Sequence, residues 1–408
     1  MNSASAPLLA DATLARPLAA PSVREGVVPG AGHWPIAILG VPFDHVTLAQ
    51  ALARIEAMIA SRRPHYVVTA NVDFLVQAHR DVELRRILLD ADLVLCDGTP
   101  LVWASRWLGN ALPERVAGSD LAPALIRVAA EKGHRLFFLG AGPGVAAEAG
   151  AKLRAQYPAL QLVGTYSPPF SHLLEMDHDE IARRIREARP DILLVSFGCP
   201  KQEKWIAMHH RSLGVPVAIG VGATLDFLAG RMKRAPGWMS RTGTEWLYRL
   251  WQEPGRLYRR YTEDLVHFLP ALIRQTCRLP ARDVDQPAPA QRDSALPDWS
   301  LFFAGALLTR RSLGRHAAFW QELPTRATHC LLDLSAVRHI DASGVAWLIR
   351  CRKHLAARGR QLVLHAPSAP ARRALTAMKL ADHFHIARDV ADALQQVAAQ
   401  CAHLPVQR

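Results

Sequence analysis

Residues 93–98 read LVLCDG, an apolar run that ends at Asp97 and Gly98. A short apolar run closed by an Asp-Gly pair is typical of a buried strand that carries a carboxylate at its C-terminal end. Open α/β sheets bind their ligands beyond the carboxyl ends of the strands. Asp97 is therefore the first candidate for a functional carboxylate. The alternative is that Asp97 only caps a turn or the start of a helix.

A second predicted strand, residues 65–69, lies upstream and is followed by Ala-Asn, so that Thr69 and Asn71 mark its end. The intervening residues 72–92 contain no Gly or Pro and have helical periodicity. A strand, a helix and a second strand in this order form a βαβ unit, in which both strands end on the same side of the sheet. We therefore expect Thr69, Asn71 and Asp97 to face one cleft.

The alternation of strands and helices continues along the chain to about residue 230. Further strands are predicted at residues 36–41, 135–139, 161–166, 191–196 and 216–221. This alternation is typical of an α/β fold with a mainly parallel sheet that helices cover on both faces. Several of these strands end in Gly and polar residues, as one pocket at the carboxyl edge of the sheet requires.

The strand at 135–139 runs into the glycine-rich turn GAGPG, residues 140–144, ahead of a helical run. Backbone amides exposed at a helix N-terminus suit a diphosphate, so Gly140 and Gly142 are candidate substrate-binding residues. The spacing is GxGxG rather than the dinucleotide-binding GxGxxG, and a tight turn without a ligand explains it equally well. Asp226, just after the strand at 216–221, is a further candidate at the same edge.

The amino-acid composition limits the number of domains and the kinds of partner that the protein can have. The 408 residues are half apolar, which is enough for two or three domains with sizeable cores. A net charge of +13 indicates an acidic partner, which could be nucleic acid, an anionic membrane or a phosphorylated substrate. No run approaches the roughly 20 apolar residues of a membrane-spanning helix, and the N-terminus is a poor signal peptide. We therefore expect the protein on the cytoplasmic side of the membrane.

Composition also divides the chain into five segments. Residues 1–33, rich in Ala, Pro, Ser and Gly, are predicted to be a disordered leader, and residues 34–230 form the α/β domain. Residues 231–282 are a basic, aromatic appendage. Residues 283–298 are predicted to be a linker of Pro, Ala and Gln, and residues 299–408 a second, small α/β domain.

The appendage has eleven basic residues against four acidic ones, with Trp and Tyr interleaved at helical spacing. This pattern suits helices that lie on an anionic membrane with their rings at the level of the headgroups. Single-stranded nucleic acid could use the same residue types. A packed helix pair with a solvated basic face is the simplest alternative.

Eight motifs of the first three hundred residues occur together in a known family. They are TANVDF at 69–74, ADLVLCDG at 91–98, ERVAGSD at 114–120, FLGAGPG at 138–144, SFGCPKQEKW at 196–205, GVGATLDFLAG at 220–230, RAPGW at 234–238 and EWLYRLWQEPGRLYRR at 245–260. With these motifs in this order, residues 36 to about 270 resemble the WecG/TagA/CpsF family, glycosyltransferase family 26. The resemblance implies a Rossmann-like hexosyltransferase domain.

The resemblance further implies an inverting transfer of a sugar from a UDP donor to a polyprenyl-diphosphate-linked acceptor, in surface polysaccharide biosynthesis. The donor would be UDP-N-acetylmannosamine, its uronic acid or UDP-glucose. Asp97 matches the proposed general base, and Thr69, Asn71 and Gln202 match further catalytic positions. Arginines of the appendage would reach the donor diphosphate, and the candidates are Arg234, Arg249, Arg256 and Arg259. The family commonly has GVGG where this chain has GVGA at 220–223.

The residue types fit this chemistry. A carboxylate at a sheet edge can take the proton of the attacking hydroxyl, and cations must meet the charge that develops on the leaving diphosphate. Many glycosyltransferases use a metal held by a DxD motif for that purpose. The DxD pairs of this chain lie at helix ends or in the linker, so we expect arginine and backbone amides instead, with no metal and no cofactor; the pairs are Asp90/Asp92, Asp177/Asp179 and Asp283/Asp285.

The C-terminal domain resembles a STAS domain through FAGAL at 303–307 and DLSAVRHIDASGVAWL at 333–348. In regulatory members the matching serine, here Ser343, is phosphorylated at a helix N-terminus and switches partner binding. The alternative is that Ser343 simply caps its helix.

Together these observations predict a peripheral enzyme on the inner face of the cell membrane. Its expected partners are a UDP-sugar, a lipid-linked acceptor, the anionic membrane surface, a protein bound by the STAS domain and a possible second copy, without nucleic acid. The rival from another class is a STAS-based regulatory scaffold with an inactive transferase domain.

Overall fold

A computed structural model of the chain describes residues 34–232, 235–236, 239, 244–252, 254–278, 289–293 and 298–387. For residues 249, 256, 278, 292 and 293 it describes the backbone alone. The predicted leader, residues 1–33, lies outside the described residues, as do parts of the predicted appendage and linker.

The first domain is built around a six-stranded sheet in which every pairing is parallel. The spatial order is β4-β3-β8-β7-β5-β6. The strands are β3 (His65–Ala70), β4 (Leu93–Cys96), β5 (Leu136–Gly140), β6 (Leu162–Tyr166), β7 (Ile192–Ser196) and β8 (Val217–Gly220). The predicted parallel sheet is confirmed. Strands that are apolar along their whole length need cover on both faces, and the helices that connect parallel strands provide it.

Helices cover both faces of this sheet. They are α1 (Leu48–Ser61), α2 (Val72–Arg80), α3 (Val82–Asp90), α4 (Thr99–Trp107), α5 (Gly118–Lys132), α6 (Val145–Gln156), α7 (His178–Ala188), α8 (Lys201–Leu213) and α9 (Thr224–Ala229). One core cluster contains apolar side chains of α2, α3, α4, α7 and α8. The other contains those of α1, α5, α6 and α9.

The neighbouring strands β3 and β8 lie where the order of the sheet reverses. The helix that follows β3, α2, packs on one face, and the helix that follows β8, α9, packs on the other. A crevice opens between such strands at their carboxyl ends, and it is the usual ligand site of an open α/β sheet. The fold therefore directs attention to the residues that follow β3, β4 and β8.

Two elements differ from the sequence-based expectation. The predicted strand 36–41 is a hairpin of β1 (Ile36–Ile38) and β2 (Val41–Phe43), because Leu39 and Gly40 both adopt positive φ and reverse the chain. The predicted helical run 72–92 is two helices, because the Asp81 side chain accepts a hydrogen bond from the backbone N–H of Leu84 and starts α3 afresh.

The second domain has a five-stranded sheet of order β15-β14-β12-β10-β9 and a separate pair, β11-β13. Its strands are β9 (Ala290–Asp293), β10 (Trp299–Phe303), β11 (Leu307–Leu308), β12 (His329–Asp333), β13 (His339–Ile340), β14 (Leu362–His365) and β15 (His385–Ala387). Its helices are α12 (Arg310–Arg315), α13 (Ala317–Glu322), α14 (Ala342–Ala356) and α15 (Ala369–Ala377). The predicted small α/β domain is confirmed.

Strand β9 corrects the predicted linker, residues 283–298. It pairs antiparallel with β10 and extends the sheet of the second domain. Its sequence, AQRD, has no apolar run, because an edge strand takes its order from hydrogen bonds to its neighbour rather than from burial.

The appendage is helical in the part that the structure describes. It contains α10 (Glu245–Gln252) and α11 (Pro254–Arg278). Helix α11 contacts α2 of the first domain and α15 of the second. Its buried residues recur at helical spacing and form one face: Leu257, Asp264, Phe268, Leu272 and Gln275. None of the described helices is long and apolar enough to cross a membrane.

Candidate active site

Asp97 lies directly after β4, at the carboxyl edge of the sheet. Its backbone N–H donates to the carbonyl of Ala70 at 2.9 Å, which joins the ends of β3 and β4. The Asp97 side chain is 27% exposed, and its Oδ1 lies 3.9 Å from Nη1 of Arg115. The carboxylate is therefore within reach of a ligand and next to a cation.

Thr69 and Asn71 lie beside Asp97, as the βαβ unit predicts. Residues 69 and 70 pair in register with residues 95 and 96, so Asn71 and Asp97 are the next positions on neighbouring strands. The Thr69 hydroxyl donates to the carbonyl of Gly220 at 3.3 Å and is buried. Asn71 caps α2, with its Oδ1 accepting from the N–H of Phe74. Thr69 thus joins the two strands that border the crevice, and Asn71 fixes the start of the helix that follows β3.

Gln202 connects the start of α8 with the end of β8. Its Oε1 accepts from the backbone N–H of Gly222 at 3.1 Å, and its Nε2 donates to Oε1 of Glu203 at 2.6 Å. The side chain is buried. Gln202 therefore orients the loop after β8, and its predicted catalytic role stays a prediction.

Glu203 is a site residue that the sequence analysis missed. Burial raises the pKa of its carboxyl to about 8, although the hydrogen bond from Gln202 acts in the opposite direction. Burial thus holds this carboxyl in its proton-bound form up to a higher pH than an exposed glutamate, and its Oε1 accepts from the Gln202 amide. An acidic residue in the first turn of a helix normally indicates an exposed partner of the helix dipole, so the local pattern does not predict this burial.

Packing explains why the first residue of the glycine-rich turn, Gly140, is a glycine. This residue adopts φ +97° at the end of β5, and a Cβ built there would lie 2.5 Å from the carbonyl oxygen of Ser196. Only glycine allows this close approach of β5 and β7. Gly142 follows in the turn before α6, and a diphosphate at these amides stays a prediction.

Asp226 lies in the first turn of α9, half-buried, and burial raises the pKa of its carboxyl. Its backbone carbonyl accepts from the N–H of Arg231 at 3.0 Å. The structure thus places Asp226 on the helix that follows β8, at the carboxyl edge of the sheet.

Of the four arginines predicted for the donor diphosphate, Arg259 is the one whose side chain lies among the described residues. Arg234 lies outside the described residues, and the side chains of Arg249 and Arg256, on α10 and α11, lie outside them too. The Arg259 side chain is exposed and pairs with Glu263 one turn later, with Nε and Oε1 3.0 Å apart. All four stay predictions.

Arg115 is a second site residue that the sequence analysis missed. Its guanidinium lies 3.1 Å from Oε2 of Glu245, 2.7 Å from Oδ2 of Asp120 and 3.9 Å from Asp97. Glu245 begins α10, so Arg115 connects the candidate base with the appendage. The sequence places Arg115 in the ERVAGSD motif, but a contact over 130 positions leaves no local pattern.

Among the residues that the structure describes, no group of three or more His, Cys, Asp or Glu side chains is arranged to hold a metal ion. The site brings together an accessible carboxylate, an arginine and strand-end loops fixed by buried polar side chains. Chemically, this arrangement can accept a proton at Asp97 and stabilise negative charge beside it.

Ser343 lies at the start of α14, in the second domain. It is 1% exposed, and its Oγ lies 2.9 Å from Nδ2 of Asn110 in the first domain. The helix is capped by Asp341, whose Oδ1 accepts from the N–H groups of Ser343 and Gly344. The alternative that the Ser343 side chain caps α14 is therefore wrong, and its phosphorylation stays a prediction.

Comparison with known proteins agrees with the resemblance. Residues 36–282 match the glycosyl transferase WecG/TagA/CpsF family, and residues 296–393 match the STAS domain. A relative from Bacillus spizizenii is 34% identical over 194 residues, which cover 48% of this chain and 74% of the relative. A relative from Staphylococcus aureus is 31% identical over 225 residues, which cover 54% of this chain and 87% of the relative.

Both relatives are described as N-acetylglucosaminyldiphosphoundecaprenol N-acetyl-beta-D-mannosaminyltransferases. The family match covers more than half of this chain and contains every element of the candidate site. The chain is a glycosyltransferase that belongs to the WecG/TagA/CpsF family and carries a C-terminal STAS domain.

Proposed function

We propose that the enzyme transfers a sugar, with inversion, from a UDP donor to a polyprenyl-diphosphate-linked acceptor in surface polysaccharide biosynthesis. The names of the two relatives support a lipid-diphosphate acceptor and favour N-acetylmannosamine as the sugar. Its uronic acid and glucose are the other donor sugars to test. The observation that carries the proposal is the accessible Asp97 carboxylate beside Arg115, at the carboxyl end of β4 and one strand from the crevice between β3 and β8.

In the proposed reaction Asp97 accepts the proton of the acceptor hydroxyl. The acceptor oxygen then forms a bond to the anomeric carbon from the side opposite UDP. The bond between that carbon and the diphosphate oxygen breaks, and its electron pair leaves on UDP. Positive side chains must stabilise this charge, and the candidates are arginines of the appendage together with backbone amides of the turn at 140–144. No metal ion is required in this scheme.

We also propose that the appendage holds the enzyme on the inner face of the cell membrane. Exposed apolar side chains form one stripe along α11: Tyr258, Leu265, Val266, Leu269 and Ile273. Trp246 and Trp251 of α10 are exposed as well. Basic residues beside such a surface favour an anionic leaflet, which is where a polyprenyl-linked acceptor resides.

The experiment that tests the reaction uses the purified full chain, detergent-dispersed undecaprenyl-diphosphate-N-acetylglucosamine and each candidate UDP-sugar. We expect mass spectrometry to detect one added N-acetylhexosamine on the lipid and an equal amount of free UDP, with EDTA leaving the rate unchanged. Hydrolysis of the donor without lipid product would contradict the proposal. A rate abolished by EDTA and restored by Mg²⁺ would contradict the metal-independent scheme.

A further inference from the structure

The STAS domain and the transferase domain share apolar core. Trp34, Ala37 and Leu89 of the transferase domain belong to the core cluster of the STAS domain. Ala342, at the start of α14, belongs to a core cluster of the transferase domain. Helix α14 packs on the β1–β2 hairpin. Interfaces built like a continuous core are typical of permanent rather than transient contacts.

Buried charges also pair across this interface. Arg350 of α14 is 9% exposed, and its guanidinium donates to the carbonyl of Ala91 at 2.8 Å and to that of Pro42 at 3.1 Å. The same group forms an ion pair with Asp44. One helical turn along, Nζ of Lys353 lies 2.9 Å from Oδ1 of Asp92. Because a buried charge without its partner is costly, these pairs favour a single docked arrangement.

The backbones approach closely at Gly40, in the turn of the hairpin. Gly40 adopts φ +88°, and a Cβ built there would lie 2.5 Å from the carbonyl oxygen of Met378 in the STAS domain. Nearby, Nζ of Lys379 donates to the carbonyl of His79 at 2.9 Å. The main chain of the hairpin turn thus packs directly against the main chain of the STAS domain.

The appendage helix α11 meets the same hairpin. Gln275 is buried, and its Nε2 donates to the carbonyl of Ala37 at 2.7 Å while its Oε1 accepts from the N–H of Leu39 at 2.8 Å. Further contacts join α11 to α15. The hairpin therefore binds α11 at Gln275 and the STAS domain contacts the same helix, while Glu245 of α10 contacts Arg115 at the active site.

We propose that the STAS domain is an internal docking partner of the transferase domain and braces helix α11, so that the appendage is held over the active site. The occupant of the surface around the start of α14 is this chain's own transferase domain rather than another protein. The part of the proposal that concerns turnover rests on the proposed function, whereas docking is measured without any substrate.

The test uses the full chain with a protease recognition site inserted between residues 283 and 288. After cleavage, we expect the two fragments to elute together from a size-exclusion column. The double variant Arg350→Ala/Lys353→Ala should release the STAS fragment while far-UV circular dichroism stays unchanged. The matched control is Arg338→Ala, an exposed arginine of the same domain. Docking would be overturned if the wild-type fragments elute separately. It would also be overturned if the double-variant fragments elute together to the same extent as those of wild type.

A second measurement keeps the proposal testable if the double variant does not fold. The single variant Lys353→Ala should raise the dissociation rate of the cleaved fragments at least about tenfold, since it removes the charge-assisted contact with Asp92. Hydrogen exchange in residues 265–278 should accelerate by a similar factor. Unchanged exchange there would overturn the brace, and higher turnover after undocking would assign the STAS domain an inhibitory role instead. Failure of the sugar transfer itself would leave both docking readouts intact.

Discussion

Two carboxylates beside β4 have opposite surroundings: Asp44, which follows β2 and contacts Val94 of β4, and Asp97, which follows β4. Asp44 accepts from the N–H of Val94 at 2.8 Å, pairs with Arg54 and Arg350, and has a side chain that is 9% exposed. Asp97 has a side chain that is 27% exposed and a longer, 3.9 Å contact with Arg115. The difference in exposure separates a buried carboxylate that joins two domains from one whose side chain remains open to solvent.

The largest expected effect on stability follows from Asp44. Replacing it in Asp44→Ala leaves Arg350 and Arg54 without their shared carboxylate, so we expect a loss of about 3–5 kcal/mol, as for other broken buried pairs. Urea unfolding of the full chain measures this. The control Asp90→Ala changes an exposed carboxylate just before β4 and should stay within about 0.5 kcal/mol of wild type. A loss below about 1 kcal/mol in Asp44→Ala would contradict the structural role.

The next largest expected effect comes from replacing Arg115, which tests the surroundings of Asp97. In Arg115→Met the cation beside Asp97 and the contact to Glu245 are lost, so turnover should fall about 10- to 100-fold, as for a charge-assisted contact worth about 1.5–3 kcal/mol. Arg127→Met, on the exposed face of α5, is the control. Wild-type turnover in Arg115→Met would remove Arg115 from the site.

Glu203 extends the comparison to a third carboxyl, which is 2% exposed. Its pKa of about 8 in the folded protein lies above the ordinary value near 4.3, so the folded state holds a proton that the unfolded state releases. This group therefore lowers stability as the pH rises toward 8. In Glu203→Gln that loss is absent, so the stability of the variant relative to wild type should be higher at pH 8 than at pH 5. Thermal melts at both pH values measure this, and a relative stability that is lower at pH 8 than at pH 5 would contradict the assignment.

The smallest expected effect concerns the exposed stripe on α11. In Leu269→Gln/Ile273→Gln, binding to phosphatidylglycerol vesicles should weaken about tenfold, because two apolar side chains no longer enter the lipid. Vesicle co-sedimentation measures this, with phosphatidylcholine vesicles for comparison. Val82→Gln changes an exposed apolar residue of α3 and should bind as wild type does. Equal binding by the stripe variant would remove the membrane role of α11.

The sequence predicted those parts of the fold that depend on local pattern. The apolar strands and intervening helices indicated a parallel sheet, and the βαβ rule brought Thr69, Asn71 and Asp97 together correctly. The polar edge strand β9 was missed because it has no apolar pattern. The contacts of Arg115 with Glu245 and of Arg350 with Asp44 join residues far apart in the sequence, and such pairs become visible only in the folded chain.

The central claim is that Asp97 removes the proton of the acceptor hydroxyl, and Asp97→Asn tests it most directly. The measurement is steady-state turnover together with donor affinity by calorimetry, with Asp90→Asn as the control. The account predicts a fall in turnover of about 10²- to 10⁴-fold, the usual contribution of a general base, with unchanged donor affinity and an unchanged melting temperature. Turnover at the wild-type rate in Asp97→Asn would contradict it.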